Sequence, residues 1–152
     1  MLFRKSTSAL LVLAATAIAS GAMIVSASTT ISQIGSDIDG EAAGDYSGFS
    51  VSLSSDGTAV AIGAHLNDGN GADSGHVRVY EWNGNAWIQK GADIDGEAEG
   101  DYSGFSVSLS SDGTVVAVGA QRNGAHSGHV RVYGWNENAW QQKGADIDGE
   151  AE

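Results

Sequence analysis

Carboxylates cluster at the opening of a repeated segment of this 152-residue chain. Four of them fall within nine residues that also hold two glycines, and the cluster recurs further along the chain. Alternate Asp residues followed by Gly can wrap oxygen ligands around Ca²⁺ in a tight turn. Alternatively, Asp and Gly serve the turn geometry of a solvated connection. The candidate calcium ligands are Asp37, Asp39, Glu41, Asp45, Asp93, Asp95, Glu97 and Asp101.

The histidines are predicted to be structural. His76 and His129 occupy the same repeat position, and neither has a cysteine or a second histidine at metal-ligand spacing. His65 is replaced by Gln121 in the second copy, and the fourth histidine is His126. A catalytic histidine needs a partner within hydrogen-bond reach.

Each repeat also carries two tryptophans, which are Trp82 and Trp87, then Trp135 and Trp140. Because they are the largest side chains in a repeat rich in serine and glycine, we expect them in the core. If they were exposed, they would stack on sugar rings or anchor a protein partner.

The chain has no nucleophile elbow, zinc-binding helix motif, phosphate-binding glycine loop or Ser/His/Asp set. A glycosidase dyad would need two acids held across a cleft about 5–10 Å apart, one of them with a raised pKa. Solvated loop carboxylates do not meet that requirement. The sequence therefore predicts a protein that is not an enzyme, without catalytic or cofactor-binding residues.

Composition excludes further classes of protein. The 19 acidic and 7 basic residues give a formal net charge of −12, which argues against nucleic acid as a partner. The absence of cysteine excludes disulfide scaffolds, thiol catalysis and cysteine-bound zinc.

An internal repeat is the dominant sequence pattern. Residues 37–58 and 93–114 differ only at Ala43 and Glu99, and a third copy opens at Asp146. Each full copy predicts four short strands: in the first, Phe49–Leu53 alternates with Phe49, Val51 and Leu53 on one face. The predicted fold is all-β, with four-stranded blades of the β-propeller type and an incomplete propeller of two full repeats plus the start of a third.

The predicted organisation follows from these patterns. Arg4 and Lys5 precede an apolar run that ends in small residues, which predicts a signal peptide over 1–27, cleaved after Ala27. A retained anchor helix is the alternative. An N-terminal segment (28–36), blade repeat 1 (37–92), blade repeat 2 (93–145) and the start of repeat 3 (146–152) then follow.

The segment Ser47–Trp82 resembles the FG-GAP repeat, the blade unit of integrin α-subunit propellers and of many surface proteins. Phe49–Val51 lies where that family has its phenylalanine-led strand, Ala61–Ala64 corresponds to its Gly-Ala segment, and Gly75–Tyr80 to its next strand. The family's calcium loop is degenerate here, because only Asp56 remains of its Asp-x-Asp-x-Asp-Gly pattern.

The resemblance and the signal peptide together imply a secreted or cell-surface module for binding, adhesion or structure, as a fragment of a longer propeller. The alternative is a blade segment of a secreted polysaccharide-active enzyme. The expected partners are an extracellular protein or carbohydrate ligand, and further blades of the same or another chain. Calcium is the one cofactor that the carboxylate clusters suggest.

Overall fold

The computed structural model describes residues 30–123 and 127–150. The predicted signal peptide, residues 1–27, lies outside the described residues, as does His126. The chain divides into two compact units, Met1–Gln33 and Ile34–Glu152. Of the first unit, residues 30–33 are described, and they are exposed and without regular secondary structure.

The described part of the second unit forms ten strands in two antiparallel sheets. The first sheet contains β1 (Ser50–Leu53), β2 (Ala59–Ala64), β3 (His76–Trp82), β4 (Trp87–Gln89) and β5 (Ile94–Asp95). The second contains β6 (Ser103–Leu109), β7 (Val115–Ala120), β8 (His129–Trp135), β9 (Trp140–Gln142) and β10 (Ile147–Asp148). The all-β prediction and the predicted four-stranded blades are confirmed, and the described residues form two such blades without a closed ring.

Each blade is a meander of three strands with an edge strand in two pieces. In the first blade, β4 pairs with one end of β3 through Trp82 and Trp87, and β5 pairs with the other end through His76 and Asp95. A bond from the Lys90 amide to the Val79 carbonyl, at 2.7 Å, continues the ladder between the two pieces. The opening residues of one repeat therefore complete the sheet of the repeat before it.

The turn between β1 and β2 is held by Asp56, the residue that remains of the degenerate calcium loop. Its Oδ1 accepts hydrogen bonds from Ser54 Oγ (2.8 Å), Thr58 Oγ1 (2.9 Å) and the Thr58 amide (3.0 Å). Because these bonds favour the charged form, the pKa of Asp56 lies below its ordinary value. This carboxylate closes a turn by hydrogen bonding.

The core lies between the two blades. The first sheet contributes small side chains from β2 and valines from β3, and the second contributes larger apolar side chains from β6, β7 and β8. Two serines of β1 add polar contacts at this seam: Ser50 Oγ donates to the Gly104 carbonyl (2.7 Å), and Ser52 Oγ accepts from the Leu109 amide (2.9 Å). The buried cluster consists of Ala59, Ala61, Val77, Val79, Ile94, Leu109, Val116, Val118 and Tyr133.

The tryptophans pack at the outer edge of each blade. Trp82 and Trp87 face each other across the β3–β4 pair with ring centroids 5.4 Å apart, as do Trp135 and Trp140 in the second blade. Trp140 packs against the buried cluster and donates from Nε1 to the Lys90 carbonyl at 2.7 Å. All four tryptophans are partly buried, and of them Trp140 takes the expected place against the core.

Candidate metal centres

His76 opens β3 and is 1 % exposed. Because successive side chains of a strand point to opposite faces, Val77 and Val79 enter the core while His76 and Arg78 lie on the other face of the sheet. The segment that precedes β1 covers that face: Arg78 Nη2 donates to the Asp39 carbonyl at 2.8 Å. The histidine is thereby buried beneath the acidic opening of its own repeat.

Two carboxylates from different repeats converge on the imidazole. Nδ1 of His76 lies 3.5 Å from Asp93 Oδ2 and 3.8 Å from Glu41 Oε2. This nitrogen is buried and has no hydrogen-bond partner. One ligand atom from each of the three residues lies within 4.8 Å of the other two. The glutamate side chain is half exposed, so the group is reachable from solvent on that side.

Neighbouring side chains orient both carboxylates. Gln89 Nε2 donates to Asp93 Oδ1 at 2.6 Å, which leaves Oδ2 directed at the imidazole. Arg78 Nη1 lies 3.8 Å from Glu41 Oε1, while Asn67 Nδ2 donates to Oε2 at 3.4 Å. The arrangement is therefore held by contacts with strands β3 and β4 and with the loop after β2.

The second repeat reproduces this group. Nδ1 of His129 lies 3.5 Å from Asp146 Oδ2 and 4.0 Å from Glu97 Oε2, and it too is buried without a hydrogen-bond partner. Gln142 Nε2 donates to Asp146 Oδ1 at 2.6 Å, and Arg131 Nη1 lies 3.3 Å from Glu97 Oε1. Within the described residues, these are the two groups of three or more His, Asp or Glu side chains with ligand atoms this close together.

Negative charge accumulates around the first group. The pKa of Asp95 is raised, first by burial and then by the charges of Asp93 and Glu41, while His76 opposes the shift.

Three of the eight predicted calcium ligands lie in the two groups with a histidine. Glu41 and Asp93 belong to the first group, and Glu97 belongs to the second. Asp45 and Asp101 lie outside the groups as buried hydrogen-bond acceptors: Asp45 Oδ2 accepts from the Ala42 amide (3.2 Å) and from Asn67 Nδ2 (2.8 Å), the same amide that donates to Glu41. Asp39 meets Arg78 through its backbone carbonyl, and Asp37, Asp39 and Asp95 lie outside the two groups. Calcium ligation by the eight carboxylates stays a prediction.

Sequence reasoning missed His76, His129 and Asp146 as members of these groups. Each group takes its Glu and its His from one repeat and its Asp from the opening of the next, so no short motif contains all three. The available signal was the presence of all three residues at matching positions in both copies. The near-identity of the copies made that signal uninformative, because almost every residue recurs.

Comparison with known proteins identifies the repeat. A family model for the FG-GAP repeat matches residues 34–80, a range that spans the acidic opening, β1, β2 and most of β3. No curated protein matches the chain at a significant level. Among the described residues, no helix has the length and apolar character needed to cross a membrane.

Proposed function

The chain is an FG-GAP repeat protein, and we propose that it acts as a secreted or cell-surface module for binding or structure, without a catalytic role. The fold is a β-propeller-type repeat module. The extracellular location rests on the basic, apolar and small-residue pattern of residues 1–27. The absence of cysteine is compatible with it, because the blades are held by packing and hydrogen bonds.

The observation that carries the proposal is that the two outermost sheet faces match the two faces that meet at the seam. Val77 and Ile94 of the first blade are buried against the second blade, while the equivalent Val130 and Ile147 are exposed. On the opposite side, Phe49, Val51 and Leu53 are exposed. Leu109, the counterpart of Leu53 in the second blade, is buried at the seam. Each outer face therefore corresponds to one side of the seam. The two blades together present both sides of an interface that they already form once between themselves.

Because exposed contiguous apolar side chains mark interaction surfaces, we propose that these faces bind further blades of the same kind, on a second copy of this chain. The complementarity is physical: at the seam, Leu109, Val116, Val118 and Tyr133 of one face meet alanines, serines and the valines of β3 on the other. The seam between the first and second blades shows that this pairing buries apolar area without leaving β1 serines unpaired.

Exposed aromatic rings just before β1 offer a further contact surface. Tyr46 is 61 % exposed and Phe49 is 51 % exposed, and the Phe49 ring lies 4.2 Å from His65 and 5.0 Å from Phe105. Rigid aromatic groups of this kind stack on sugar rings or anchor protein partners. They support an extracellular protein or carbohydrate as the ligand.

Sedimentation velocity of the full chain at rising concentration tests the association of blades. We expect oligomers for the wild type. We expect a monomer for Val51→Asp, which places a charge on the exposed face that carries Phe49, Val51 and Leu53. The control is Ile88→Asp, an equivalent change at an exposed position of β4 outside that face, and it should associate like the wild type. A wild type that stays monomeric at every concentration contradicts the association.

Location and ligand class need separate measurements. Expression of the full chain with a C-terminal tag, followed by fractionation and N-terminal sequencing, should find an exported product that begins at Ser28. A panel of polysaccharides should show retention that Tyr46→Ala weakens, without release of products. Product release would instead indicate the polysaccharide-active enzyme, and an unprocessed chain in the cytoplasm would refute the extracellular role.

A further inference from the structure

We infer that the Glu41–His76–Asp93 and Glu97–His129–Asp146 groups are two binding sites for a transition-metal ion of the zinc class. The inference is independent of the proposed function, since it concerns how one repeat is joined to the opening of the next. It also differs from the calcium prediction, because each site contains a histidine and takes residues from two repeats.

The unpartnered imidazole nitrogen is the first reason. Nδ1 of His76 is buried and neither accepts nor donates a hydrogen bond. It is directed at two carboxylate oxygens. Leaving a buried polar atom without a partner costs free energy that a ligand would recover. The same atom of His129 is left unpartnered in the second repeat, so the feature is built twice.

The distances are the second reason. A proton shared between imidazole and carboxylate would draw the two atoms to about 2.7–2.9 Å. The separations here are longer, at 3.5 and 3.8 Å in the first group and 3.5 and 4.0 Å in the second. Two ligands bound about 2.0–2.1 Å from one tetrahedral zinc lie roughly 3.4 Å apart. The gap therefore suits a metal ion between the ligands.

The donor set selects the metal. Imidazole nitrogen favours zinc, copper, nickel or iron, whereas calcium requires six to eight oxygen ligands. One histidine and two carboxylates leave a fourth tetrahedral position, and the half-exposed glutamate places it toward solvent. The hydrogen bond from Gln89 to Asp93 and the ion pair between Arg78 and Glu41 hold the outer oxygens, as the residues around the ligands do in metal sites.

A metal bound here would clamp the acidic opening of each repeat to the sheet. Asp93 directly precedes β5, whose Asp95 pairs with His76, and Glu41 lies in the segment that covers the same face. Coordination would thus tie three chain segments together, at the point where one blade gives way to the next. In effect the ion would replace covalent cross-links in a chain without cysteine.

Zinc titration of the full chain, after removal of metals with a chelator, tests the inference. Isothermal calorimetry and elemental analysis should give two zinc ions per chain, with a rise of several degrees in the melting temperature. Calcium at the same concentration should have a much smaller effect. Asp93→Asn and Asp146→Asn should each reduce the stoichiometry to one, and the double variant should bind none.

The aspartate variants keep the test decisive, because His76→Ala opens a cavity at a buried position and can impair folding. Circular dichroism of each aspartate variant establishes that it is folded. Glu99→Gln is the matched control: this residue belongs to the same acidic opening but lies outside both groups, so it should retain two zinc ions. Equal stabilisation by calcium, unchanged binding in the double variant, or no binding of zinc at all would overturn the inference.

Discussion

Leu53 and Leu109 occupy the same position of the two repeats, yet Leu53 is 57 % exposed and Leu109 is 9 % exposed. Both side chains point to the same side of their own blade. On that side the second blade meets the first, and its leucine enters the buried cluster. The different burial of two identical residues shows that the seam between blades creates the core.

Leu109→Ala should destabilise the protein by about 2–4 kcal/mol, because it removes buried apolar atoms and leaves a cavity. At a concentration where the chain is monomeric, Leu53→Ala should cost less than about 1 kcal/mol, since its side chain is then in contact with water. Urea unfolding followed by tryptophan fluorescence measures both values. Equal costs for the two variants would mean that the first blade is covered in the same way as the second.

Gly63→Ala should disturb the seam, whereas Gly119→Ala should be milder. A Cβ at Gly63 would lie 2.1 Å from the backbone oxygen of Gly104 on the facing blade, which cannot move without separating the sheets. At the equivalent Gly119, the nearest atom is Ser106 Oγ at 2.4 Å, and this hydroxyl can rotate away. We expect a loss of roughly 1–3 kcal/mol from overpacking for Gly63→Ala. Thermal unfolding of the pair measures it, and a Gly119→Ala variant that is the less stable of the two would contradict the packing described.

His65→Gln should remove part of the acid sensitivity of folding. His65 is buried beside the rings of Phe49 and Phe105, and burial lowers its pKa below the ordinary 6.5, although Asp73 opposes the shift. Because the unfolded chain then binds a proton more readily than the folded one, stability is highest above pH 6.5 and falls as the pH drops from there through the folded pKa.

Glutamine is the natural residue at the equivalent Gln121, so it is a suitable neutral replacement. Urea unfolding of wild type and variant between pH 8 and pH 5 gives the comparison. The wild type should lose more stability than His65→Gln over this interval. Parallel curves would show that the histidine is protonated equally in the folded and unfolded states.

The strands could be predicted closely from the sequence. Alternation and turn residues predicted four strands in each full copy, and the predicted Phe49–Leu53 differs from the observed β1, Ser50–Leu53, by one residue. The two-residue strands β5 and β10 were missed, because Ile94–Asp95 has too short a pattern to signal a strand. Such a strand exists only because the edge of β3 is available to pair with it.

The candidate site was predicted in part, for a related reason. Repeated carboxylates pointed to an ion-binding segment, and Glu41, Asp93 and Glu97 lie in the observed groups. The histidines were assigned a structural role because the sequence around His76 offers no ligand partner. Its partners arrive from the start of the same repeat and from the next one, which local spacing does not reveal.

The repeat, the strand positions and the side of each strand on which a residue lies follow from the order of the residues. Strand periodicity is a local property, so it is legible from neighbouring residues. Which side is covered, and which carboxylates meet an imidazole, depends on how the two blades and their connecting segments pack. Burial and convergence depend on segments far apart along the chain, so two copies with the same strands give Leu53 and Leu109 opposite surroundings.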